Sequence, residues 1–433
     1  MRILSIIAQK PYATGSGVYL VETIKAFGKM GHENAVVYGK YNDDNIYLCE
    51  NVKEYPLIFD TSDLPCLIFG MSDEMPYKSM RYMDMDEKIF DLWSKNFISI
   101  IDKAINEFKP DIIIAHHLYL LTSIVRERYK NIRIVGICHN TDIRQYIKNN
   151  FKREFIKNNI NLLDKICTPT SYHKELVIDT FGVRNEKIEI IGIGYNDKIF
   201  NIKRNLKKSD KINRFLYVGK IAKKKGVLAL LKAIGIIEKN NDTFNNSVFS
   251  KVKTENFGNY HTKHLDNRFF KGANNNTDYI EFNFVGSAGN ENEYNEIISY
   301  AKNLKTKINF LGKKNQIELA DIYNENNIFV MPSYCEGIPM TVIEALACGE
   351  KVLLSNLPGV KEYLDENVIN ANVVYVDLPK LTNADDVSVD EENKYVERLS
   401  KGILEILQNN QKLEADVSKI SWDNVAKMII GNK

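Results

Sequence analysis

Two carboxylates eight positions apart, Glu336 and Glu344, bracket Gly337-Ile338-Pro339-Met340-Thr341, and the strand-like run Ile328 to Met331 stands just upstream. Pro339 suits the first turn of a helix, where its missing N–H leaves no bond unmade. The N–H groups of Met340 and Thr341 would then stand free at the helix start, where the macrodipole favours an anion such as a diphosphate. A carboxylate is a poor phosphate ligand but a good acceptor for sugar hydroxyls. One acid would hold a ribose diol and the other a transferred hexose. The plainer alternative is a surface Glu followed by a solvated helical one. Glu344, however, sits among Val342, Ile343, Ala345 and Leu346, where an idle carboxylate is costly.

Cations to face those acids stand in Tyr217-Val218-Gly219-Lys220-Ile221-Ala222-Lys223-Lys224-Lys225-Gly226. Gly219 at a strand end lets the backbone approach a ligand closely. Lys220 and Lys225 bracket the loop and would neutralise a leaving diphosphate, while Lys223 and Lys224 are expected in solvent. The loop belongs to a stretch from Asn201 to Lys232 with eleven Lys or Arg against Asp210 alone, a pattern that a solvated face would also give. Nearer the start, Gly15-Ser16-Gly17 lies between a strand and a helix like a dinucleotide fingerprint. Leu20 replaces its third glycine, and Tyr38-Gly39 stand where the ribose-binding acid belongs, which disfavours NAD. A glycine loop facing phosphate or acceptor is the better reading. His139 and the pair His116-His117 each follow a buried strand. His139 is read as a cleft residue oriented by Asp142. His116 and His117 are acceptor-side candidates for which a structural role is equally open.

The elements that must position these residues follow from periodicity. Short apolar runs (Ile3–Ala8, Asn34–Tyr38, Asp111–Ala115, Ile132–Cys138, Lys165–Thr168) alternate with helical patterns such as Tyr19–Met30, Lys88–Phe108 and Leu120–Tyr129. The rhythm resumes with Arg214–Val218, Val227–Glu238, Tyr279–Val285, Asn292–Leu304, Ile308–Leu311, Gln316–Glu325, Ile328–Met331, Thr341–Ala347 and Lys351–Ser355. Such alternation means β-α-β units, hence an α/β fold of two doubly wound parallel sheets. A chain of 433 residues exceeds what one core organises, and regular apolar signal fades near 196–212. The expected division is 1–200 and 201–414, with a polar insert at 240–278 read as a loop or disordered segment. Its His261 and His264 lack further ligands at metal-binding spacing. Open parallel sheets bind ligands at their carboxyl edges, so two such units facing each other make a cleft there.

A net charge of +2 carries no field that would imply nucleic acid. Six cysteines without a C-x-x-C pair read as reduced thiols, which suits a cytoplasmic protein. Met1-Arg2-Ile3-Leu4 enters a strand at once, leaving no room for a signal peptide, and no apolar run is long enough to cross a membrane. Arg144 to Lys157 has the composition of a basic amphipathic helix for the inner membrane face, although an ordinary surface helix is the better reading. Oligomeric state is open.

With these motifs in order over nearly the whole chain, the sequence resembles family 4 of the retaining glycosyltransferases, which have the GT-B fold. The carriers are E-x7-E in "EGIPMTVIEALACG", "VGK…KKG", "INFLGKK…ELADIYNENNIFVMPS", "GSG" and "ICHNTD". The resemblance implies that Glu336 contacts the donor hexose and Glu344 the ribose. Lys220 and Lys225 would hold the diphosphate with the backbone at Met340 and Thr341, and Gly219, Gly337 and Ile338 are further donor-binding candidates. Lys313 would lie by the nucleobase, His139 near the hexose, and Gly15, Ser16 and Gly17 near phosphate and acceptor. The final segment, within 415–433, would form a helix crossing back to the first domain. Lys220 stands where the family commonly has Arg, which keeps the charge but loses the bidentate fork.

The activity implied is retaining transfer of a hexose from a UDP or GDP sugar to an acceptor hydroxyl of a glycan, glycolipid or glycoconjugate. The lysines and helix start would stabilise the leaving phosphate, with no metal and no further cofactor required. A nucleotide-sugar epimerase or phosphorylase would form product without acceptor. A non-catalytic binding subunit would bind donor without turnover.

Overall fold

The computed structural model describes the chain except residues 73–74, 207, 209–211, 251–278, 383–386, 410, 412–413 and 432–433, and the side chains of 241–250 and 279. The first half runs β1 (Arg2–Ile6), α1 (Gly15–Lys29), β2 (Glu33–Lys40), β3 (Val52–Ile58), two short strands β4 (Phe69–Gly70) and β5 (Met80–Arg81), α2 (Glu87–Phe108), β6 (Ile112–His116) and α3 (Leu120–Arg128). It continues through β7 (Arg133–Ile137), α4 (Thr141–Lys148), α5 (Arg153–Asn161), β8 (Lys165–Thr168), α6 (Ser171–Phe181) and β9 (Ile188–Ile190). The second half runs β10 (Ile212–Val218), α7 (Val227–Ser250), β11 (Tyr279–Val285), α8 (Glu291–Ala301), β12 (Lys307–Gly312), α9 (Gln316–Glu325) and β13 (Ile328–Met331). After it come α10 (Met340–Ala347), β14 (Lys351–Ser355), α11 (Val360–Asn367), β15 (Val373–Val376), α12 (Val389–Gln408) and α13 (Trp422–Ile430).

Two large parallel sheets result, of order β3-β2-β1-β6-β7-β8-β9 and β12-β11-β10-β13-β14-β15, while β4 pairs with β5 in a small sheet of its own. Their central strands are buried on both faces, as in Ile112-Ile113-Ile114-Ala115, so they read as continuous apolar runs. Strand order reverses beside β1 in one sheet and beside β10 in the other. The loops that leave β1, β6, β10 and β13 therefore open at a switch point, where a crevice forms.

Three principal strands fall outside the sequence expectation: β3, β9 and β15. All three are sheet edges. An edge strand carries solvent-facing and even proline residues, as Lys53, Glu54 and Pro56 do in β3, so its apolar signal is weak. The polar insert is corrected in its first part, because α7 continues to Ser250. Its remainder, with His261 and His264, lies outside the described residues.

The single basic helix expected from Arg144 to Lys157 is not there; α4 ends at Lys148 and α5 begins at Arg153. Asn149 accepts a bond from the Phe151 N–H at 2.9 Å and Lys152 adopts φ 54°, which together break the helix. Tyr146 is buried, and Phe151 and Phe155 pack against the core. The aromatic residues of this stretch thus turn inward, and Ile147 is its exposed large apolar residue. No helix of the described residues is long and apolar enough to cross a membrane.

The end of the chain returns to the beginning. α13 packs on α1, with Trp422 edge-on to Tyr19 at 5.0 Å and Arg133 donating to the Ile430 carbonyl at 3.2 Å. A Cβ on Gly194 would fall 2.4 Å from the Trp422 ring, so the strand-to-strand connection passes flush against that helix.

Candidate active site

Between the two halves lies a cleft of about 540 Å³ whose walls come from both. On the first wall, the turn after β1 delivers Gly15 and Ser16 to the lining, while Gly17 sits behind them. Gly17 donates its N–H to the Thr14 hydroxyl at 3.3 Å, so Thr14 caps α1. His139, Asn140 and Arg144 line the same wall after β7.

The second wall is built from the loops after β10 and β13. Gly219, Lys220, Lys224, Lys225, Glu336, Gly337, Ile338, Met340, Thr341 and, from the loop after β12, Lys313 all face the cleft. Lys224 is a correction, since solvent was expected for it. Lys223 does point outward, to Glu296 at 2.7 Å. Gly226 explains how close the two loops come: it has φ +70°, and a Cβ there would lie 1.9 Å from the Pro332 carbonyl oxygen. The approach lets Lys225 Nζ reach Glu336 Oε1 at 2.5 Å, and Ser333 Oγ donates to the same oxygen at 2.9 Å. Pro339 caps α10, so the first N–H groups of that helix open toward the cleft.

Glu344 is placed differently from Glu336. It lies one turn beyond Thr341 in α10, half-buried at the edge of the lining, and accepts from the Tyr323 hydroxyl at 3.2 Å. Burial pushes its carboxyl up to about 7, an effect the Tyr323 bond partly offsets. Tyr323 lies within the "ELADIYNENN" stretch but carried no expected role; it stands 21 residues upstream of Glu344. Its hydroxyl is also 3.3 Å from the Thr341 carbonyl, which links the acid to the helix start.

The histidines divide in the same way. His139 lines the cleft, whereas His116 and His117 are buried at 1% and 5% exposure and do not. Neither can touch an acceptor from there. Asp142 holds His139 through its main chain, accepting its backbone N–H at 3.2 Å and that of Leu118 at 2.8 Å, rather than through the ring. The ring's partner is His116, with Nδ1 3.1 Å from His139 Nε2. Asn140, quoted within "ICHNTD" but given no role, spans the cleft: its amide donates to the Glu336 carbonyl oxygen at 3.3 Å from a backbone at φ 66°, ψ −38°. Strain of this kind collects where surrounding contacts enforce it.

This geometry can seat an anion at a helix start between lysines, and can present an acid and an imidazole to a polyol beside it. The model of the glycosyl transferases group 1 matches residues 198–421, a little over half of the chain, and that of glycosyltransferase family 4 matches residues 13–198. An uncharacterized glycosyltransferase of Methanocaldococcus jannaschii is 26% identical over 278 residues, 61% of this chain and 58% of that relative. The match thus spans little more than half of the relative's length. A lipopolysaccharide 1,2-N-acetylglucosaminetransferase of Salmonella typhimurium is 21% identical over 344 residues, 77% of this chain and 75% of the relative. Sucrose-phosphate synthase from Thermosynechococcus elongatus superposes with a TM-score of 0.63 at 17% identity, covering 99% of this chain and 97% of that one. HepE of Anabaena in complex with UDP gives 0.59 at 12% identity, with 99% and 94% covered. At such identities the solved structures show a shared fold, and that fold is GT-B.

Proposed function

Since the chain belongs to the group 1 glycosyl transferases, joined to a family 4 amino-terminal half, we propose that it moves a hexose from a nucleoside diphosphate sugar to an acceptor hydroxyl with retention of configuration. The observation that carries this reading is the meeting of Lys225, Ser333 and Glu336 beside the open start of α10, across one cleft from Gly15, Ser16 and His139. In this scheme the diphosphate sits over the Met340 and Thr341 N–H groups and takes Lys220 and Lys225 as counter-charges. Glu336 and His139 hold the hexose, Glu344 the ribose and Lys313 the base. Gly219, Gly337 and Ile338 line the donor side, and the Gly15–Gly17 loop guides phosphate and acceptor.

The bond from the anomeric carbon to the diphosphate oxygen breaks, and the acceptor oxygen bonds to that carbon on the same face. Its proton passes to the departing phosphate oxygen. The lysines and helix dipole stabilise the charge that develops there, which is where preorganised electrostatics contribute most. On donor arrival the phosphates compete with Glu336 for Lys225, freeing the carboxylate for sugar hydroxyls.

HepE of Anabaena was solved with UDP-glucose, so a UDP sugar is the first donor to test here and a GDP sugar the second. Relatives named for lipopolysaccharide and amylovoran synthesis suggest a glycan or glycolipid acceptor. We assign the reaction to the cytoplasm, in keeping with six free cysteines. Thermal-shift screening of UDP, GDP and ADP sugars identifies the donor, because a ligand bound to the native state raises its melting temperature. NMR of the product then reads the anomeric configuration. Inversion would overturn the retaining assignment, and product formed without acceptor would turn the reading to an epimerase.

A further inference from the structure

Behind the first wall of the cleft, three histidines and Tyr19 are packed together with few hydrogen bonds among them. The His139 ring lies 5.2 Å from that of Tyr19, edge-on, and 4.7 Å from that of His117. Its Nε2 meets Nδ1 of His116 at 3.1 Å. The other nitrogen of His116, Nε2, is buried without a hydrogen-bond partner. His117 supports the assembly from a strained backbone, φ 72°, fixed by its N–H to the Ile137 carbonyl at 3.0 Å.

Burial keeps both imidazoles neutral at physiological pH, each with its pKa pushed down. A neutral ring carries one proton, so the contact between His116 and His139 admits two arrangements. If His139 donates from Nε2, His116 must carry its proton on Nε2, a buried N–H with no acceptor. If His116 donates from Nδ1, its Nε2 is a bare lone pair instead. Orphaned buried N–H groups are rare and costly, while an unmet acceptor is tolerated better.

We propose that His116 is a positioning residue that donates from Nδ1 to Nε2 of His139 and so fixes the proton of His139 on Nδ1. With Nε2 occupied, Nδ1 is the ring atom left for the cleft, and it offers an N–H. His139 therefore presents a hydrogen-bond donor to a hydroxyl or phosphate oxygen of the ligand and does not act as a base. The consequence for the ligand rests on the reading of the cleft as a donor-sugar site; the tautomer itself does not.

Long-range proton–nitrogen NMR on the whole chain with 15N-labelled histidine, at neutral pH and without ligand, reads the tautomer directly. A His139→Asn sample assigns the resonances. The expected spectrum has an unprotonated Nε2 and a protonated Nδ1 at His139; a protonated Nε2 overturns the proposal. His116→Asn keeps an N–H donor at the same place, and His116→Leu removes it. Loss of one neutral hydrogen bond predicts a fall in kcat/KM of about three- to tenfold for His116→Leu, with His116→Asn near wild type. An equal fall in both would mean that donation by residue 116 is irrelevant. Should the wild type turn over no nucleotide sugar, the functional reading fails while the spectrum still decides the tautomer.

Discussion

Two acids of one motif differ in what surrounds them, and each difference has a measurable consequence. Glu336 is paired to Lys225 at 2.5 Å and faces the cleft. Glu336→Gln and Lys225→Ala should each lower kcat by at least about a hundredfold, the usual loss when one group stabilising developing charge is removed. Their circular dichroism should match wild type, and full activity in both would sink the assignment. Glu344 holds its proton more tightly folded than unfolded, since burial raises its pKa from 4.5 to about 7. The contribution of Glu344 to stability is therefore full below pH 4.5, is lost as pH rises through 7, and is level above. Glu344→Gln should flatten that decline and stabilise the fold at pH 8 by about 1–3 kcal/mol, read by thermal melts. The same substitution should raise KM for the donor, because a ribose acceptor is lost. Lys225 and Glu336 were legible in the sequence; Lys224, Arg144 and three polar partners were not. Tyr323, Ser333 and Asn140 all lie within recognisable motifs, but which atoms they meet is set by folding geometry, and a tyrosine 21 positions from its carboxylate does not announce that bond.

Loops of fixed shape, rather than helices, set the distances in the cleft. Gly226 closes the lysine loop in a left-handed conformation against the Pro332 carbonyl. Gly226→Ala should cost about 1–3 kcal/mol in backbone strain, and it should push the loop outward. An error of about 1 Å in position can cost roughly a hundredfold in rate, so kcat should fall far more than melting temperature; an unchanged kcat would contradict the role given to that approach. Central strands and most helices were legible because both sheet faces are buried and the apolar runs are unbroken. The edge strands β3, β9 and β15 were not, since half of each meets solvent. The break between α4 and α5 was also hidden, because it depends on Asn149 turning to its own backbone rather than on a glycine or proline.

At the scale of the molecule, the two halves are tied by α13, whose Trp422 is 6% exposed between Tyr19 and the 194 turn. Trp422→Ala should destabilise the protein by about 3–5 kcal/mol, and limited proteolysis should then cut between the halves; a variant that resists protease as wild type does would argue against this tie. The parallel two-sheet plan was legible from alternation alone, but the physical contact between the chain's two ends was a matter of resemblance until the packing of α13 on α1 was in view. That contact also bears on synthesis. The first sheet is complete once residue 190 has left the ribosome, yet the flank of α1 stays bare until residues 422–430 are made. For the whole time that the second half is being translated, the nascent first half exposes Tyr19 and its apolar surroundings. Chaperone occupancy on arrested nascent chains should therefore persist until α13 emerges.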